Sequence, residues 1–262
     1  MRKPIVTLTT DFGTKDHFVG VMKGVIATIC RDAEVVDISH EVQPFAIPEG
    51  AFLISQAYRF FPPKTIHVAV VDPGVGSARR PILVEAAGQT FIGPDNGVLA
   101  LVYSDVSHKA REITNTKLFL EPVSHTFHGR DIFAPVAAHI ATGARASSVG
   151  KRIEDHLKPT FLKPQRTSKR AWQGSVLHVD RFGNLITNFH IDEFEKVRNQ
   201  PFALAVGVQS LTELGQTYSG SALGEPFVLV GSSGFLEVVV NQGSAAKMLG
   251  CVAGSPCELT VY

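Results

Sequence analysis

Ile66-His67-Val68-Ala69-Val70-Val71-Asp72-Pro73-Gly74-Val75-Gly76-Ser77-Ala78-Arg79-Arg80 reads as a buried strand, Ile66 to Val71, that stops on a turn of glycine and proline. The turn carries a carboxylate, Asp72, and two guanidiniums, Arg79 and Arg80, at a strand end, where α/β proteins keep their chemistry. Pro73 fixes one backbone angle, while Gly74 and Gly76 permit positive φ or close backbone approach. The loop is therefore shaped to hold a ligand beside Asp72 and Arg79. Taken alone, the same residues equally describe a surface turn with a solvated ion pair.

Outward from this segment the pattern repeats. Short β-branched runs (Ile5 to Leu8, Val35 to Ile38, Ile66 to Val71, Ile82 to Glu85) alternate with stretches of helical length and period (Phe18 to Ile29, Pro48 to Arg59, Asp131 to Thr142). That alternation predicts a layered α/β domain over residues 1–160, with a mostly parallel sheet. Prolines and basic residues from Lys158 to Arg170 break the rhythm and predict a linker over 161–171. Beyond it, Gly174 to Val179, Phe202 to Val206, Phe227 to Val230, Leu236 to Val240 and Cys257 to Val261 are short runs parted by Gly, Asn and Ser. They predict a smaller all-β, barrel-like domain over 172–262, with Ser244 to Leu249 its helical stretch.

Composition narrows the ligand. The chain has 262 residues, of which 44% are hydrophobic, and a mean hydropathy of +0.12, enough to bury a sizeable core. With 25 basic and 24 acidic residues the net charge is +1, so there is no field to gather nucleic acid or an anionic membrane. A small molecule is the expected ligand. The apolar run behind Met1-Arg2-Lys3-Pro4 is interrupted by Thr7, Thr9, Thr10 and Asp11, too early for an export signal, and no stretch approaches a membrane span. Cys30, Cys251 and Cys257 lack close pairing and suggest neither a disulfide framework nor a thiolate metal site. The expected location is the cytoplasm.

Several familiar motifs fail on inspection. Gly74-Val75-Gly76-Ser77-Ala78-Arg79 starts like a dinucleotide fingerprint, yet Arg79 stands where the third glycine belongs. Asp11-Phe12-Gly13 spells the kinase magnesium motif without the glycine-rich loop, lysine or catalytic loop that precede it in kinases. His125, His128 and Asp131 offer metal-ligand chemistry, which keeps a divalent-metal hydrolase built on Asp11, Asp72, His128 and Asp131 as an alternative. The other histidines, His40 and His67 among them, join no motif.

Four loops carry the polar residues in order: Thr9-Thr10-Asp11-Phe12-Gly13-Thr14-Lys15-Asp16-His17, then Val71 to Arg80, then Thr126-Phe127-His128-Gly129-Arg130-Asp131, then Asp180-Arg181-Phe182-Gly183-Asn184-Leu185-Ile186-Thr187-Asn188. Over essentially its whole length the chain resembles the S-adenosylmethionine (SAM) hydrolases, or SAM hydroxide adenosyltransferases, relatives of the SAM-dependent halogenases. The resemblance implies an N-terminal α/β domain, a C-terminal β-barrel and a homotrimer with sites at subunit boundaries. It also implies hydrolysis of SAM to adenosine and L-methionine by water or hydroxide at ribose C5′, with no cofactor and no metal.

The sulfonium of SAM already makes a neutral thioether leaving group at C5′, so the reaction needs an aligned, activated water and no acid for methionine. By family position Asp72, Arg79 and His128 are the catalytic set. Asp72 and His128 accept the water proton or orient its oxygen, and Arg79 stabilises hydroxide character and pairs with Asp72. The halogenase relatives lack this acid and histidine. For binding, the resemblance assigns Asp11 to the ribose diol and Asp16 and Asp180 to the methionine ammonium. Asn184 falls to an adenine edge. The loop Gly231-Ser232-Ser233-Gly234-Phe235-Leu236-Glu237 matches the one that grips the methionine carboxylate, with Ser233 where some relatives carry arginine, and Ala245 meets adenine through its backbone. Phe127 and Phe182 read as core aromatics or flat ligand surfaces. A non-catalytic protein that only senses adenosine or SAM is a further alternative.

Overall fold

The computed structural model describes residues 3–104, 106–159 and 163–262, and the chain divides into two compact units, Met1–Pro159 and Thr160–Tyr262. In the first, the elements follow in the order β1 (Ile5–Thr10), α1 (Phe18–Ile29), β2 (Glu34–Ser39), α2 (Ile47–Ala57), β3 (Ile66–Val70), β4 (Pro81–Ala86), β5 (Gln89–Pro94), α3 (Ala100–Tyr103), β6 (His108–Glu112), α4 (Ala134–Ala141) and β7 (Arg152–Ile153). The strands form one sheet in the order β2-β1-β3-β5-β4-β6-β7. β3 is buried at every position, as a central strand covered on both faces must be. Val6, Leu8, Val68 and Val70 meet Met22 and Ile26 of α1 and Val136 and Ala137 of α4 in one core. Their alternate neighbours Thr7 and His67 point to the other face, where His67 lies against Tyr58 and Phe61 just beyond α2.

The sheet is mixed, which corrects the expectation of a mostly parallel one. β2, β1, β3 and β5 run parallel, but β4 pairs antiparallel with both β5 and β6, and β6 with β7. The reason is local. β4 turns straight back into β5 through Ala87 and Gly88, both at positive φ (50° and 74°), and a two-residue hairpin leaves no room for the crossover a parallel neighbour needs.

The second unit contains β8 (Gln165–Arg166), β9 (Ala171–Val179), β10 (Leu185–His190), β11 (Phe202–Val206), β12 (Gln209–Leu211), β13 (Leu214–Gly215), β14 (Pro226–Val230), β15 (Phe235–Val240), α5 (Ala245–Leu249) and β16 (Pro256–Val261). Its sheet runs β12-β11-β16-β9-β10-β15-β14-β13, with β8 on β9. Pairing is antiparallel except between β13 and β14, and the sheet curls as a half-barrel. Val176, Leu185, Phe189, Leu204, Val238 and Leu259 form its core. The expected linker, 161–171, begins outside the described residues, and Gln165–Arg166 within it pairs with β9.

Candidate active site

β1 and β3 lie side by side and parallel, so the loops after them, with Asp11 and Asp72, emerge at the same edge of the sheet. Arg79 closes the second loop onto Asp72. Its Nε donates to Asp72 Oδ1 at 2.9 Å, and its Nη2 donates to Asp72 Oδ2, a bidentate pair whose side chains are 9% and 4% exposed. The same Nη2 donates to His128 Nδ1 at 2.7 Å. Phe133 lies under the guanidinium, 5.3 Å from ring centroid to Cζ. His128 and Phe133 bracket Arg79 because Gly129–Phe133 forms a π-helical turn ahead of α4, a widened turn often found at functional sites. Gly76 permits the fold-back: its φ is +75°, and a Cβ there would stand 2.2 Å from the carbonyl oxygen of His125.

The protonation of His128 follows from its partner. A guanidinium only donates, so Nδ1 is an acceptor and the neutral ring carries its hydrogen on Nε2. Burial, then the Arg79 charge, pull its pKa below the ordinary histidine value. Arg79 Nη1 is buried and has no hydrogen-bond partner among the described residues. Arg80, its neighbour in sequence, is committed elsewhere, to Asp95 at 2.8 Å and Asp155 at 3.0 Å.

Asp11 is half-buried, and its Oδ2 accepts the Phe45 N–H at 2.9 Å. Burial raises its pKa, the Phe45 amide opposes this, and the nearby Asp72 charge adds to it. Phe45 adopts φ +70° and is 70% exposed, an aromatic face held beside Asp11 that sequence reading missed. Asp16 is exposed ahead of α1. Phe127 is core, packed on Phe12 and Phe18. Asp131, fully buried, accepts from Arg130 Nε at 2.5 Å and the Ser124 N–H at 2.9 Å. Burial pushes its pKa up, but these partners hold it below the usual carboxylate range. Among the described residues no three His, Cys, Asp or Glu side chains converge as a metal ion requires. A cavity of 1020 Å³ lined by Ile5, Ile66, Gln89 and Lys109 opens at the other end of the parallel strands, away from Asp72.

The second unit holds its own polar group. Asp180, just past β9, accepts from the backbone of Phe182 and Asn184 through Oδ1, each at 2.9 Å, and from Asn184 Nδ2 through Oδ2 at 2.8 Å. Gly183 between them has φ +85°, and a Cβ would meet Ser244 Oγ at 2.0 Å, so the Asp180 turn seats against the entry to α5. Asn184 and Ala245 are buried, Ser232 is exposed and Ser233 half-buried in the β14–β15 turn. Phe182 is 76% exposed and belongs to no core. Glu237 is the residue passed over in the sequence. It is 6% exposed, its Oε2 accepts from Tyr218 at 3.4 Å, and burial followed by the Asp180 charge raises its pKa. An acid inside the apolar run Phe235-Leu236-Glu237-Val238 was its signal.

Comparison with known proteins bears on this geometry. Residues 6–150 match the model of the "SAM hydroxide adenosyltransferase N-terminal domain" and residues 174–258 that of its C-terminal domain. The "(R)-S-adenosyl-L-methionine hydrolase" of Salinispora tropica is 37% identical, aligned over 98% of each chain. A "Fluorinase" from an Actinoplanes species is 29% identical, over 98% of this chain and 97% of its own. A solved structure of an uncharacterized conserved protein from Thermotoga maritima superposes with a TM-score of 0.87 at 39% identity, covering 98% of this chain and 99% of that one. With both halves matched and similarity sustained from end to end, the chain belongs to the SAM hydroxide adenosyltransferase family.

Proposed function

We propose that this protein hydrolyses SAM to adenosine and L-methionine by attack of water at ribose C5′. One observation carries the mechanism: the Arg79 guanidinium is joined at once to Asp72 and His128, with Nη1 left over. Water enters against this corner. Asp72 accepts its O–H through lone pairs that Arg79 leaves free, while Arg79 Nη1 and the Nε2–H of His128 stabilise the charge growing on oxygen. The C5′–O bond forms as the C5′–S bond breaks; sulfur takes the electron pair and leaves as neutral methionine. One proton passes by way of Asp72 to solvent. Asp11 receives the ribose diol, Asp16 and Asp180 the ammonium, Asn184 an adenine edge, Ser232 and Ser233 the carboxylate, and Ala245 adenine through its backbone. The protein acts as a cytoplasmic homotrimer whose sites are completed at subunit boundaries. Three buried, free cysteines accord with a reducing compartment, and no described helix is long and apolar enough to cross a membrane.

Turnover in ¹⁸O-water tests the reading. The expected product is adenosine labelled at the 5′-oxygen, unaffected by chelator or excess chloride. Unlabelled adenosine or released adenine places the chemistry at another atom. Binding without turnover favours a sensor, and loss of activity in chelator a metal enzyme.

A further inference from the structure

His40 joins no sequence motif, yet the fold builds a relay around it. Thr10, the last residue of β1, is fully buried, and its Oγ1 lies 2.8 Å from His40 Nδ1. His40, 5% exposed, places Nε2 3.0 Å from Asp37 Oδ1 in β2. Asp37 Oδ2 in turn accepts from Lys23 Nζ of α1 at 2.6 Å. The order of residues, hydroxyl then imidazole then carboxylate, is that of a nucleophile relay, but here the hydroxyl reaches no solvent and already accepts the Phe12 N–H at 3.2 Å. That amide can only donate. The Thr10 hydroxyl still has its hydrogen and a second lone pair for Nδ1, while Nε2 stands within ion-pair distance of Asp37 without a directed hydrogen bond to it.

What the relay holds is the loop around Asp11. Thr10 before it is tied to the His40 ring, Phe12 after it is tied to Thr10, and the Gly13 N–H donates to the His40 carbonyl oxygen at 2.7 Å. Asp11 is thus fixed from both sides by one residue, which is anchored in turn on β2 and α1. We propose that His40, acting through Thr10, is a positioning residue that sets the Asp11 carboxylate for a vicinal ribose diol. This rests on the assignment of the diol to Asp11. A carboxylate that accepts two neighbouring hydroxyls must present its oxygens at a set angle, and misplacement costs the hydroxyl bonds while sparing contacts to the base.

The test compares adenosine with 2′,3′-dideoxyadenosine by titration calorimetry on the full-length protein. In His40→Ala, and in Thr10→Val, which cuts the relay with little change in packed volume, adenosine affinity falls roughly tenfold, the worth of one or two hydrogen bonds. Affinity for the dideoxynucleoside changes by less than about twofold on the same scale. KM for SAM rises while kcat holds, and His40→Gln, which keeps an acceptor and a donor, recovers most of the loss. Equal losses for both nucleosides, or no loss for adenosine in Thr10→Val, overturn the proposal. Asp11→Asn separates the two levels. If it abolishes discrimination between the nucleosides and the relay variants do not, the relay alone falls; if it leaves discrimination intact, the Asp11 assignment falls and takes the relay with it.

Discussion

A guanidinium that spends Nε and Nη2 on a carboxylate and an imidazole still keeps the two N–H groups of Nη1, and in the proposed mechanism this gives Arg79 a role lysine cannot fill. Asp72→Asn, Arg79→Lys and His128→Ala should each lower kcat by about 10²–10⁴, with adenosine affinity nearly unchanged, because the proposed roles of all three concern the water. Steady-state kinetics with calorimetry checks this. Near-normal turnover in any one of them removes that residue from the mechanism. Burial and the Arg79 charge keep His128 neutral to below the ordinary histidine value near 6.5, so the acidic limb of kcat should lie below pH 6.5; a limb at or above it contradicts the neutral ring. Asp72 and Arg79 could be read as a loop at a strand end and His128 as the opening of a helix, but their selection as a set rested on family position; the structure brings the three side chains together. The choice between Arg79 and Arg80 was not contained in composition. Successive residues of an extended segment point apart, and only the positions of Asp95 and Asp155 show which way each goes. Phe45 was illegible for a similar reason: nothing in Gln43-Pro44-Phe45 announces a left-handed backbone held by an acid 34 residues earlier.

Between elements, the loop after β3 is held by the turn after β5. Asn96 Nδ2 donates to the Val71 carbonyl at 2.8 Å, and the same turn's Asp95 holds Arg80. Pro94-Asp95-Asn96-Gly97 reads in sequence as a plain turn, which it is, yet it clamps both ends of the segment that carries Asp72 and Arg79. Asn96→Ala leaves the Val71 carbonyl unpaired and should cost roughly 1–3 kcal/mol of stability. It should also lower kcat by about tenfold or more, since small displacements of catalytic groups are expensive in rate. Thermal melts together with kinetics check this, and an unchanged kcat would show that the loop keeps its geometry unaided. Element types were legible where apolar runs were long, as in β1, β3 and α1. β5 and β6 escaped because Ala87 does not advertise the positive φ that turns the chain back, and His108-Lys109-Ala110-Arg111-Glu112 looks like a solvated stretch.

At the scale of the molecule, the two-unit layout of an α/β sheet followed by a β half-barrel was legible from the change of rhythm along the chain, whereas strand direction was not. Stability should carry the mark of His67. Its Nδ1 lies 2.7 Å from Thr7 Oγ1 and its Nε2 2.6 Å from Gln89 Oε1, and burial takes its pKa down to about 4 despite the Gln89 bond. The unfolded chain takes up this proton near pH 6.5 and the folded one only near 4, so stability is full above 6.5 and declines as pH falls between those values. The decline amounts to about 3 kcal/mol at ~1.4 kcal/mol per unit. Melting temperatures from pH 7 to 4.5 should show it, and His67→Gln should flatten the slope; an equal slope in the variant would locate the effect elsewhere. The Ala87–Gly88 hairpin, finally, sets a timetable. β4 and β5 meet within microseconds of chain motion, while Thr7 must find His67 across a separation of 60 residues, a far costlier closure. The antiparallel half should then seed the sheet ahead of β1, so in stopped-flow kinetics Gly88→Val should slow refolding, whereas Leu8→Ala should chiefly hasten unfolding; unchanged refolding in Gly88→Val would contradict this order.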